Sequence, residues 1–176
     1  DVYKRQLLGF LLHTISLLIE YYHLGAVPGL SFKSSLAFFS WAIVAAYIIF
    51  QAKFGILVLG SFVGPLSVIL MILSSTIPIS AVTVRPIFKG VLLPVHVTAS
   101  LLGDGIFVIA FIAGIMYLIQ ERQIKTKRLG AFYARLPSLN ILDSINYHAI
   151  SYGFLLLSIG MITGSVSYTH SDAADE

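Results

Sequence analysis

The chain has 176 residues, of which 57% are hydrophobic and only 11% charged, with a formal net charge of +3. A soluble domain of this size carries about a quarter of its residues charged, so the composition excludes a water-soluble globular fold and points to an integral membrane protein. Cysteine is absent, which removes disulfide scaffolds, thiol nucleophiles and Cys-ligated metals.

Lipid offers backbone amides no partner, so its apolar segments must be helices, and crossing the hydrocarbon takes about 20 mostly apolar residues. The polar opening DVYKRQ, residues 1–6, is expected to be a leader foreign to the rest. Helices are then predicted over Leu7–His23, Ser35–Ala52, Phe54–Ile77, Val95–Gln120 and Tyr147–Val166. The expected fold is all-α, a polytopic membrane bundle of about five transmembrane helices spanning residues 7–166. The acidic ending SYTHSDAADE, residues 167–176, is expected to be foreign as well, which would make the chain a piece of a longer protein.

The first predicted helix carries His13, Ser16, Glu20 and His23. At 100° per residue they fall within an arc of about 80°, a polar stripe that must face other helices or a wet cavity. It reads either as a ligand or proton pathway or as hydrogen bonding between helices. In the third helix Gly60 and Gly64 stand four apart, as do Gly160 and Gly164 in the fifth, a spacing that lets helix backbones approach. Pro65 predicts a kink.

The fourth helix opens on His96, within LLPVHVTASLLGDGIF, and carries Asp104 two turns on. Ionisable groups in a membrane span are costly and are functional candidates by default. A neutral imidazole at the mouth of a span can ligate a metal, haem iron included; zinc is less persuasive, because no chelating spacing lies nearby. Asp104 has two open readings, a proton relay or a carboxyl satisfied by a neighbouring helix. His148 reads as an interfacial residue opening the fifth helix. The connection ERQIKTKRLGAFYAR concentrates Arg122, Lys125, Lys127, Arg128 and Arg135, so the positive-inside rule places it in the cytoplasm and His96 on the outer side. No phosphate loop, nucleophile elbow or metalloprotease motif is present, and no nucleic-acid partner is expected.

Three stretches together, SSLAFFSWAIVAAYIIF, LLPVHVTASLLGDGIFVIAFIAGIMYLIQER and LPSLNILDSINYHAISYGFLLLSIGMITGSV, resemble the cytochrome c assembly protein family, in its haem-handling membrane subunits of the CcsA/ResC type and more distantly CcmC. The resemblance implies haem as cofactor. It implies delivery of haem to the outer face of a bacterial inner membrane and its presentation to apocytochrome c, with a membrane accessory subunit as further partner. On the match of LPVHV, His96 takes the role of axial ligand to haem iron; His13 and His23 are second-rank haem ligands, and Glu20 and Asp104 are intramembrane polar residues the resemblance leaves unassigned. The family's Trp-rich loop would follow MITGSV, where SYTHSDAADE stands instead, and Trp41 is the only tryptophan. No self-contained catalytic site is visible, which suits a carrier whose target supplies the thiols. A branch of the same family concerned with regulation of haem biosynthesis shares these helices. Two other readings stay open: a b-type membrane electron carrier, and a small-solute transporter using the His13–Glu20 stripe.

Overall fold

Five helices make up the regular structure in a computed structural model that describes residues 2–24, 31–78, 92–127 and 135–172. They are α1 (Val2–Leu24), α2 (Phe32–Phe54), α3 (Gly60–Thr76), α4 (Leu92–Lys125) and α5 (Leu139–Asp172). α2, α4 and the Leu139–Val166 part of α5 are long and apolar enough to cross a membrane, while α3 is a shorter apolar helix. The molecule is an integral membrane protein built as a helical bundle. α1 is as long as α2 but spends Lys4, Arg5 and Glu20 within its length.

The ends of α2 follow from local chemistry. Ser31 caps the start: its hydroxyl accepts from the Ser34 amide at 3.1 Å, and Ser34 Oγ accepts from the Ser31 amide at 3.1 Å. This reciprocal pair satisfies two of the amides that a helix start leaves open. At the other end Gly55 turns left-handed, with φ 70°, and its N–H donates to Gln51 O at 2.8 Å. Only glycine adopts that conformation without a steric penalty. Phe54 therefore closes α2 instead of opening the third span, and α3 starts at Gly60 after a tight turn. Pro65 lies in the second turn of α3, whose helix continues through it.

Neighbours in sequence run antiparallel. Gln6 Nε2 on α1 donates to Tyr47 OH at 3.1 Å, and Trp41 Nε1 on α2 donates to Thr14 Oγ1 at 2.8 Å. α3 returns along α2, with Ser40 Oγ donating to Ser67 O at 3.0 Å and Ser74 Oγ to Lys33 O at 2.9 Å. α4 and α5 make the most extensive contact in the bundle. Their close approach centres on Gly103 and Gly153: a Cβ on Gly103 would stand 3.1 Å from Gly153 O, and one on Gly153 3.2 Å from Gly103 O. Gly105, on another face of α4, meets Ala42 and Ile43 of α2 in the same way.

The core lies toward the end of the bundle that holds Lys53. Ile43, Tyr47 and Phe50 of α2, Leu59 and Val63 at the start of α3, Ile109 and Met116 of α4, and Leu142 and Ile145 of α5 close it. Among the described residues fewer large apolar side chains are buried at the opposite end, where His96 stands. Large apolar side chains such as Leu8, Phe111 and Phe154 lie exposed along the outside, as expected where lipid is the solvent.

Candidate functional site

His96 sits just over one turn into α4, which starts at Leu92 instead of at the histidine. Pro94 is tolerated there because the first turn has no intrahelical acceptor for the missing N–H. The half-buried ring lies against α5, and its Nδ1 is 2.7 Å from Gly160 O. A carbonyl oxygen only accepts, so Nδ1 carries the proton and donates it to that bond. In its neutral form the ring then presents a lone pair at Nε2, the state a metal ligand needs. The same carbonyl accepts from Thr163 Oγ1 at 3.0 Å.

The seat is made by the glycine spacing of α5. A Cβ on Gly164 would stand 2.8 Å from Nδ1 and 2.9 Å from Cε1 of His96. A Cβ on Gly160 would collide with Ser100 Oγ and lie 3.3 Å from Ser100 N. His96 and Ser100, one turn apart on α4, thus face Gly164 and Gly160, one turn apart on α5. In the sequence the histidine and the glycine spacing stand apart; the structure joins them. Ser100 was missed, and its position one turn below His96 was the signal.

His13 stands elsewhere, on α1, where it hydrogen-bonds the backbone of Ala37 on α2. It lines two adjoining cavities. One, of about 460 Å³, lies between α1, α2 and α3 with Phe10, Tyr47, Gly64 and Met71 in its wall. The other, of about 250 Å³, continues to Glu20, Lys33 and Ser74. His13, Ser16 and Glu20 therefore do share a polar lining. His23 leaves the stripe and lines a separate surface hollow with Tyr21 and Tyr22. The Gly60–Gly64 pair also divides: Gly60 receives Tyr47 OH, while nothing lies within 4 Å of a Cβ on Gly64.

His13 and His96 belong to different helix pairs, so the structure does not set these two histidines face to face. His148 is not the opening residue of α5, which begins at Leu139. It lies more than two turns in, donates from Nδ1 to Ser144 O at 2.7 Å, and meets Phe54 and Tyr147 through ring edges and Tyr152 at a tilt. Asp104 is exposed on α4 between buried Gly103 and Gly105, which face α5 and α2 respectively. It makes no hydrogen bond to another described residue.

One open nitrogen on a ring already held by its other nitrogen suits an iron whose equatorial positions are filled by a macrocycle. Among the described residues no three His, Cys, Asp or Glu side chains gather as a bare ion would require.

Residues 29–169 match the family model described as Cytochrome C assembly protein. The chain is 27% identical to Protein HemX of Brevibacillus brevis, a match that covers 81% of this chain and 53% of that protein. It is 27% identical to Cytochrome c biogenesis protein CcsA of Guillardia theta, over 93% of this chain and 61% of that protein, and 27% identical to the CcsA protein of Chlamydomonas reinhardtii, over 89% and 45%. The chain thus spans about half the length of the curated relatives it matches. No solved structure matches it.

Proposed function

The chain belongs to the cytochrome c assembly protein family, and from that membership we propose that it handles haem as cargo, holding it through His96 and presenting it for covalent attachment to apocytochrome c. The observation that carries this reading is the hydrogen bond from His96 Nδ1 to Gly160 O, which leaves Nε2 as the ring's free ligand atom. The fixed tautomer matters because a ring held by one nitrogen is both oriented and made more basic at the other.

The basic residues support the sidedness. Lys53, Arg122, Lys125, Lys127 and Arg135 lie at the end of the bundle opposite His96, where Lys33 is the described basic residue. By the positive-inside rule the basic end is cytoplasmic and His96 faces the outside of a bacterial inner membrane. There apocytochrome c brings the two thiols of its C-x-x-C-H motif. A chain without cysteine contributes a ligand, an orientation and shelter from water, and needs no nucleophile of its own. A membrane accessory subunit completes the proposed assembly. His13 and His23 rank second as haem ligands: His13 lines the cavities between α1, α2 and α3, and His23 a separate surface hollow, both away from the seat of His96.

The test is His96→Gly in the full-length protein. Bound haem, read from its absorption spectrum, and the yield of mature cytochrome c are both expected to fall by at least tenfold, and imidazole in the medium is expected to restore the haem signal. Unchanged haem and unchanged yield overturn the reading. Loss of haem with unchanged yield moves the chain to the branch of the family concerned with haem biosynthesis. Labelling of His96→Cys from the cytoplasmic side alone, above that of the native full-length protein treated in the same way, overturns the sidedness; these 176 residues contribute no cysteine of their own.

A second reading rests on a separate observation. The two cavities that share His13 and Ser16 run from Tyr47 to Glu20 and Lys33, which is the lining a small-solute path along α1 requires. His13→Leu separates the two, because it blocks that path and leaves the seat of His96 untouched.

A further inference from the structure

The His96 ring occupies the space that any side chain at position 164 would fill. It is also tied to the carbonyl of the residue one turn earlier on α5. Two features of α5 therefore act on one imidazole, and neither belongs to the helix that carries it. The contact is local to this end. Two turns deeper the same two helices meet again at Gly103 and Gly153, where a Cβ on Gly153 would lie 3.2 Å from Gly103 O and 3.3 Å from the Phe107 ring, with no part of His96 involved.

Accepting His96 as the haem ligand, we infer that Gly160 and Gly164 are its positioning residues. The Gly160 carbonyl selects the Nδ1–H tautomer, and the bare backbone at Gly164 sets where the ring lies, so that α5 determines the direction in which Nε2 is offered. In water a free histidine favours neither nitrogen strongly enough to keep one bare; here the carbonyl makes the choice. The same coupling means that a shift of α5 along α4 at this end turns the ligand or releases it, without any change in α4 itself. Ser100 shares the arrangement, since its backbone meets Gly160 and keeps the two helices close enough for the bond.

Three glycine or histidine variants of the full-length protein, with their haem affinities measured by absorption titration, separate this from ordinary packing. Gly164→Ala places a methyl group 2.8 Å from Nδ1. It is expected to weaken haem binding about 10–100-fold, the usual cost of losing the partner that orients a metal-bound histidine, and to be partly rescued by imidazole. Gly153→Ala strains the same helix pair without touching His96 and is expected to stay within about twofold of the native protein. Equal loss in Gly153→Ala and Gly164→Ala, or no loss in Gly164→Ala, overturns the inference. His96→Gly serves as the separate check on the underlying assignment: if it binds haem as the native protein does, the ligand reading itself fails. A direct readout needs no haem. In protein with nitrogen-15 histidine, the His96 signals, identified by their loss in His96→Gly, are expected to show a protonated Nδ1 and a bare Nε2. A protonated Nε2 with a bare Nδ1 in the haem-free native protein overturns the inference even if Gly164→Ala does not fold.

Discussion

Glycine shows most plainly what a single residue does in this bundle. Gly60–Gly64 and Gly160–Gly164 have the same spacing in sequence, and spacing alone gives them the same role. The structure separates them, because what a glycine admits depends on a helix that is distant in sequence. Gly103 admits the α5 backbone, with Gly153 O and Leu157 N each 3.1 Å from a built Cβ, whereas Gly64 faces open space in a cavity wall. Backbone atoms cannot swing aside as a side-chain tip can. Gly103→Ala is therefore expected to cost about 1–3 kcal/mol through overpacking. Gly9 also faces open space and precedes no proline, and Gly9→Ala is expected to gain roughly 0.5–1 kcal/mol from restricted backbone freedom. Unfolding in graded denaturing detergent measures both, and two changes of the same sign would mean that the α4–α5 contact is not as close as described. His96 was legible as a candidate from its residue type and place. Its tautomer was not, since the acceptor that fixes it lies 64 residues away.

For whole helices, hydropathy located the greasy stretches well and their ends poorly. α2 ends where Gly55 turns left-handed, and a count of apolar residues does not register that conformation. α5 starts at Leu139, ahead of the apolar stretch, because Asn140, Asp143 and Asn146 are polar yet helical. That shift carries His148 from the expected opening of the helix into its third turn. α1 is the least attached element, leaning on α2 through the stack of Phe10 on Trp41, with centroids 5.3 Å apart, and through the bond from Trp41 Nε1 to Thr14. Trp41 is the sole tryptophan, so its fluorescence reports the docking of α1 directly. Phe10→Ala removes a ring contact worth about 0.5–1.5 kcal/mol beyond its buried area and is expected to expose the indole to quenching by brominated lipid chains. Quenching equal to that of the native protein would show that α1 does not lie on α2. The cavity beside His13 has α1 as one wall, so the same measurement bears on any passage along it.

Across the molecule, the all-helical membrane architecture followed from composition, and the clustering of basic residues at one end from the loops. Which faces would be covered did not follow, because coverage is set by helices that meet out of sequence order. Asp104 is the sharpest instance. Gly103 and Gly105 on either side of it are buried against α5 and α2, and the carboxyl projects from the face between them, on the same side as exposed Phe111, Ile115 and Leu118. A carboxylate at mid-span facing lipid costs about 2.5–3.5 kcal/mol on insertion scales, yet that cost is the same whether the five helices are packed or apart. Asp104→Leu is therefore expected to leave the unfolding free energy of the chain alone within about 0.5 kcal/mol, as for other exposed sites. In the full-length protein a covering helix with a donor at that depth would be left unpaired by the same change, and the expected cost becomes about 1–3 kcal/mol. Unfolding both lengths in the same detergent series gives the comparison. A difference identifies the Asp104 face of α4 as an internal contact of the longer protein, and equal values identify it as a face that stays in lipid.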